Sequence, residues 1–134
     1  MDKVSLVYCI DGYNEICETI DSFEYLRRRL TEIKLETSKI FNIIFTVDIV
    51  IEEIGRISIG LDENSIITYY NAVEDFYLTS LGDLSAEGST SYYFGDHSLM
   101  ANKYTIPYEV ALEVLENWII HGSLSDKVKW TESC

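Results

Sequence analysis

The sequence predicts an α+β fold, a single domain over residues 1–134 with a mainly antiparallel sheet of about five or six strands and two principal helices. Two observations predict it. The middle of the chain alternates apolar and polar residues at the two-residue period of half-buried strands. Near each end, a run bounded by capping residues places apolar side chains at three- and four-residue steps. With 134 residues, 47% of them hydrophobic, the chain can bury one real core and is too short for two ordinary domains.

Residues 3–9 alternate enough for a first strand. A polar stretch follows and leads to Asp21-Ser22-Phe23-Glu24, where Asp21 can cap a helix and Glu24 stands at capping-box spacing. Phe23, Leu26, Leu30 and Ile33 then share one face of a helix ending near Glu36. Arg27, Arg28 and Arg29 read as solvated surface, with Arg28 farthest from the apolar stripe. Beyond Lys39, Ile43, Phe45 and Val47 alternate as a strand, and Ile49–Ile51 either extends it or bends away. Arg56–Leu61 and Ser65–Asn71 read as a β-hairpin across the polar turn Asp62-Glu63-Asn64.

A further strand spans Asp75–Leu81 and ends at Gly82-Asp83. Residues 83–90 are turn-rich and predict a loop. Tyr92-Tyr93-Phe94 and Ser98–Lys103 read as two more short strands, or as a strand and an extended segment. The only proline, Pro107, suits the first turn of a second helix, where its missing N–H goes unneeded. Val110, Ala111, Val114, Leu115, Trp118 and Ile119 give that helix a broad apolar face, and Gly122 is its C-cap. Residues 127–132 read as extended, anchored by Trp130.

Charge is the strongest compositional signal. The net charge is −13, and the segment from Ile40 to Asp126 holds fourteen acidic side chains against two basic ones, Arg56 and Lys103. Such a field repels nucleic acid and anionic membrane and speeds capture of basic proteins. Acidity also serves solubility, so charge alone does not assign a partner. The N-terminus lacks a secretory signal pattern, and no stretch approaches the roughly 18 apolar residues of a membrane span. Three cysteines (Cys9, Cys17, Cys134) without framework spacing fit a reducing compartment, so a cytoplasmic protein is expected.

Catalytic signals are missing. Cys9 and Cys17 have no second Cys or His pair near them, so no zinc spacing exists and no metal or other cofactor is expected. His97 and His121 read as an exposed turn residue and a helix-dipole partner. No serine occupies a nucleophile elbow, and Gly82, Gly88 and Gly95 stand singly rather than in a phosphate loop. Carboxylate pairs such as Glu52-Glu53 are what chance provides among 23 acids. A non-enzyme is expected. Recognition has more support, because ten tyrosines are many for this length and several stand among the acids. In Tyr69-Tyr70 and Tyr92-Tyr93, one ring should face the core and its neighbour should face out. Glu109, Glu113 and Glu116 form a helical stripe that reads as a solvated outer face.

The hairpin Arg56-Ile-Ser-Ile-Gly-Leu-Asp-Glu-Asn-Ser-Ile-Ile-Thr-Tyr-Tyr70 resembles that of the Imm1 family of bacterial immunity proteins. Ile106-Pro-Tyr-Glu-Val-Ala-Leu-Glu-Val-Leu-Glu-Asn-Trp-Ile-Ile-His-Gly122, followed by Val128-Lys-Trp-Thr-Glu132, resembles that family's C-terminal signature. Gly82 and the Ser/Gly loop after it fall where the family has a glycine-containing segment. The resemblance covers about Ile40 to Glu132. It implies a cytosolic antidote that binds the C-terminal domain of a polymorphic toxin, such as a nucleic-acid deaminase or nuclease. Those toxins hold a polyanion in a basic groove, which an acidic cover would suit.

The leading expectation is therefore 1:1 binding of a basic toxin domain, with no direct contact to nucleic acid or membrane. Contacts are expected from Asp62, Glu63, Tyr69, Glu74, Asp75, Tyr77, Asp83, Glu87, Tyr92 and Asp96, while Trp118 and Trp130 are expected as core anchors. An acidic adaptor, or a nucleic-acid mimic that inhibits another basic protein, is the alternative. A small hydrolase built on an unrecognised carboxylate pair ranks third.

Overall fold

The computed structural model describes residues 3–9, 14–38, 43–94 and 96–132, so Ile40, Gly95 and Cys134 lie outside the described residues. The chain begins with β1 (Val4–Tyr8), β2 (Ile16–Ile20), α1 (Phe23–Ser38), β3 (Ile44–Ile51) and β4 (Gly55–Gly60). It continues with β5 (Asn64–Ser65), β6 (Ile67–Asn71), β7 (Phe76–Leu81), β8 (Ser89–Tyr93) and β9 (His97–Ala101). A 3-10 turn at Asn102–Tyr104 leads to β10 (Ile106–Pro107), α2 (Tyr108–His121) and β11 (Lys129–Thr131). The α+β class stands, with more strands than the five or six expected.

Among the described residues, nine strands form one sheet, ordered β11-β7-β6-β4-β3-β1-β2, with β8 attached to β3 and β9 to β8. Every neighbouring pair among them is antiparallel except β3 with β8. A separate two-stranded sheet joins β10 to β5 and brings the start of α2 to the end of β4.

Both helices cover one face of the large sheet. Leu6 in β1, Val47 and Ile49 in β3, Ile57 and Ile59 in β4 and Tyr69 in β6 point into that core. Burying one such side chain contributes about 1.5–3 kcal/mol relative to leaving it exposed. A one-residue slip of β3 would turn its whole apolar set to the other face, so the alternation selects the register.

The two N-terminal caps differ from expectation by one residue each, and the C-cap of α2 is the one expected. Ser22, not Asp21, caps α1: its Oγ accepts the Tyr25 N–H at 3.2 Å. That moves Glu24 off the capping-box position and leaves Leu26, Leu30, Ile33 and Thr37 buried. Pro107 is extended and precedes the first helical residue of α2, where Tyr108 N–H donates to the Glu63 carbonyl at 3.0 Å. Gly122 ends α2 in the left-handed region, its N–H bonded to the Trp118 carbonyl at 2.8 Å.

The arginine triplet divides. Arg27 and Arg28 are exposed as expected, but Arg29 is half-buried. Its guanidinium reaches Glu18 Oε2 at 3.1 Å and the Tyr8 hydroxyl at 3.0 Å, and the Tyr25 hydroxyl donates to the same Glu18 carboxylate. These bonds clip α1 onto the β1–β2 hairpin. Trp118 is fully buried and Trp130 partly buried against the core, as anchors should be.

Candidate partner-binding surface

The helix-free face of the sheet is the polar phase of the same alternation. Thr46 and Asp48 of β3, Arg56 and Ser58 of β4, Thr68 and Tyr70 of β6, and Tyr77 and Thr79 of β7 alternate with the core residues. Register aligns them in rows: Asp48 faces Ser58, Ser58 faces Thr68, and Thr68 faces Thr79. Arg56 faces Tyr70, which faces Tyr77.

The rows are tied together laterally. Ser58 Oγ donates to Asp48 Oδ1 at 2.5 Å, and Thr46 Oγ1 donates to the Tyr93 carbonyl at 2.6 Å. The Arg56 guanidinium lies 5.5 Å from the Tyr70 ring centroid, and the Tyr70 and Tyr77 rings are 4.6 Å apart. Tyr70 donates its hydroxyl to Asp75 Oδ1 at 3.0 Å, a bond that holds the phenol above its usual pKa. A recess of about 500 Å³ opens over this face, with Thr46, Asp48, Arg56 and Ser58 in its lining beside Glu15, Tyr93 and Phe94.

The expected contact acids do not form one patch. Asp62 and Glu63 follow β4, and Asp83 and Glu87 sit in the β7–β8 connection at the same end of the sheet. Glu74 and Asp75 turn the β6–β7 hairpin at the opposite end, beside Glu52 and Glu53 of the β3–β4 turn. The six residues of β4 separate the two groups by roughly 20 Å at about 3.3 Å per residue. Asp96 turns the β8–β9 hairpin, its carbonyl accepting the N–H of Phe94 at 2.9 Å, next to the recess.

Each turn is held by short-range bonds. Asn71 Oδ1 accepts the N–H groups of Val73 and Glu74, both at 2.9 Å, and Asp75 takes a φ of 55°. Asp83 Oδ1 accepts from both the hydroxyl and the N–H of Ser85, which lowers its carboxyl pKa. Asp62 is half-buried; Glu63, Glu74, Asp75, Asp83, Glu87 and Asp96 are exposed.

Two of the three tyrosines in the expected set are corrected by burial. Tyr69 is 5% exposed and meets Trp118 and Phe76 edge-on at 6.0 and 6.1 Å. Tyr92 is fully buried, and its hydroxyl donates to the Asn64 carbonyl at 3.3 Å. Burial pushes the Tyr92 phenol far above its usual pKa, and the nearby charge of Asp62 adds to it. Neither ring can meet a partner in this conformation. Tyr77 is 56% exposed and does present its ring. One ring in and one out holds for Tyr69-Tyr70, where Tyr70 is half-exposed. In the second pair Tyr92 is buried and Tyr93 is half-buried, its ring stacked on that of core residue Phe45 at 5.7 Å.

The sequence reading missed the floor of the recess: Thr46, Asp48 and Ser58. The signal was present, since they occupy the polar positions of two strands assigned from their apolar ones. Among the described residues, no three His, Cys, Asp or Glu side chains gather to hold a metal ion. His97 and His121 are both exposed. No helix among the described residues is long and apolar enough to cross a membrane. No family model matches this sequence, and no curated protein matches it.

Proposed function

We propose that this protein is a non-catalytic, cytoplasmic immunity protein of the Imm1 kind, which neutralises a basic toxin domain by 1:1 binding. The observation that carries the reading is uncompensated charge. Among the described residues, ion pairs engage Glu18, Glu32, Glu109 and Glu113 and none of the seven acids expected at the interface. The internal cations are therefore not spent on Asp62, Glu63, Glu74, Asp75, Asp83, Glu87 or Asp96. With a net charge of −13, those carboxylates project a field that steers a basic partner into contact.

Tyr77 and the Tyr70 edge add aromatic area beside Asp75, so the surface offers more than charge. A toxin domain that holds a nucleic acid needs a basic groove, and carboxylates laid over it would occlude substrate. The protein itself needs no cofactor in this role and touches neither nucleic acid nor membrane.

The test is binding and protection. The purified protein is mixed with the C-terminal domain of a large toxin-like protein encoded beside its gene, and toxin activity is followed. Nanomolar or tighter binding with loss of toxin activity supports the reading. Unimpeded toxin activity at saturating protein contradicts it, and capture instead of an unrelated basic protein would favour an acidic adaptor.

A further inference from the structure

The contact acids rim the sheet, but the open face carries Asp48, a carboxylate that the proposed interface does not use. We infer that the recess over Asp48 receives an arginine side chain from the basic protein partner, a site that rests on the function proposed above. Asp48 is half-buried in the recess lining, its Oδ1 accepts the Ser58 hydroxyl, and no ion pair reaches it among the described residues. Glu15 adds a second carboxylate to the same lining, and Tyr93 and Phe94 add aromatic residues.

That combination favours guanidinium over ammonium. A guanidinium group is planar and weakly hydrated, forks onto a carboxylate, and stacks on rings, whereas a lysine ammonium keeps its water. The recess of about 500 Å³ lies within the range of pockets that enclose small ligands, so a long side chain fits with part of its backbone turn. Arg56 lines the recess too, but its guanidinium is placed over the Tyr70 ring. An anion entering the recess would face Glu15, Asp48 and the −13 field of the whole chain. Among the described lining residues, Arg56 is the one that opposes a cation.

The test is a titration of ¹⁵N-labelled protein with a capped glycine–arginine–glycine peptide and its glutamine twin. The arginine peptide should shift the amides of Thr46, Asp48 and Ser58 saturably, and the glutamine peptide should not. Asp48→Asn keeps an acceptor for Ser58 and should weaken arginine-peptide binding about tenfold, or about 1.4 kcal/mol. Glu116→Gln, on the outer face of α2, should leave it unchanged, and equal melting temperatures confirm that both variants fold. Shifts confined to the turns at 52–54 and 72–75, or equal binding by Asp48→Asn, overturn the site. Toxin-domain binding beside an unresponsive recess would overturn the arginine site alone. A responsive recess without toxin-domain binding would overturn the immunity function alone.

Discussion

Replacing Gly82 with alanine should be among the most damaging one-carbon changes in this chain. Gly82 follows β7, and its N–H donates to the Lys103 carbonyl at 2.8 Å. A Cβ built there would lie 1.8 Å from the Thr105 carbonyl oxygen and 3.0 Å from its carbon. That carbonyl cannot easily retreat. Ser80 Oγ donates to the Tyr104 carbonyl at 2.8 Å while accepting the Ile67 N–H at 3.1 Å, and Ile106 is paired to Ser65. Relieving the clash means shifting the 102–106 segment, at an overpacking cost of about 1–3 kcal/mol. Losing the Gly82 bond adds about 1 kcal/mol.

A total near 3 kcal/mol, divided by about 2.1 cal/mol/K for each of 134 residues, lowers Tm by roughly 10 °C. Gly122→Ala is the control, because no atom lies within 4 Å of its Cβ but its φ is +74°. Left-handed strain alone costs about 1 kcal/mol, so that variant should lose only about 4 °C. Thermal unfolding followed by circular dichroism reads both. A Gly82→Ala protein that melts within about 2 °C of wild type, or above Gly122→Ala, would refute the argument from space.

The clip between α1 and the β1–β2 hairpin gives an acid-side prediction. Glu18 is held below its ordinary pKa of 4.5, chiefly by the Tyr25 hydroxyl and then by Arg29. Its contribution is therefore present above that pKa and lost as pH falls through the lower folded value. Wild-type Tm should drop more steeply below pH 4.5 than that of Glu18→Gln, and parallel curves would contradict the clip. On the alkaline side, burial first and the charge of Glu109 second push the Tyr108 phenol up to about 12 from 10.0. Its stabilisation is intact below pH 10.0 and fades as pH rises to about 12, so Tyr108→Phe should flatten the alkaline loss seen in urea unfolding. An unchanged slope there would count against the burial of that ring. Trp118→Ala removes the largest fully buried side chain and should cost about 3–5 kcal/mol, read as a Tm drop above about 10 °C. A drop under about 3 °C would mean that Trp118 is not a core anchor.

The long elements were legible because their buried side chains are periodic. Val47, Ile49 and Ile51 in β3 and Leu26, Leu30 and Ile33 in α1 report their own faces. β2 was not legible. It is an edge strand whose only fully buried side chain is Ile20, while Cys17, Glu18 and Thr19 carry no apolar alternation. β5, β10 and β11 run two or three residues, too short for any period to show.

Ser65, Ile66 and Ile67 are all buried in succession, because β5 turns to pair with β10 before β6 begins. That break hides the phase of Tyr69, so alternation could say that one of Tyr69 and Tyr70 is buried but not which. Tyr92 misled for a related reason. Its strand joins the sheet in parallel to the start of β3, a long-range pairing that no local pattern announces. Six of the seven acids are exposed and Asp62 is half-buried, but their division between two ends follows from hairpin register, and the sequence shows only that they are numerous.

The most direct test of the acidic interface is the association rate with the toxin domain at low and high salt. It compares wild type with a variant carrying Asp62→Lys, Glu63→Lys, Glu74→Lys and Asp75→Lys. Screening shortens the reach of surface charge from about 30 Å at 0.01 M salt to about 8 Å at 0.15 M. The account predicts a wild-type rate that falls at least about tenfold over that range, and a variant that associates slowly at both and no longer protects. Equal rates for the two proteins with protection intact would contradict it.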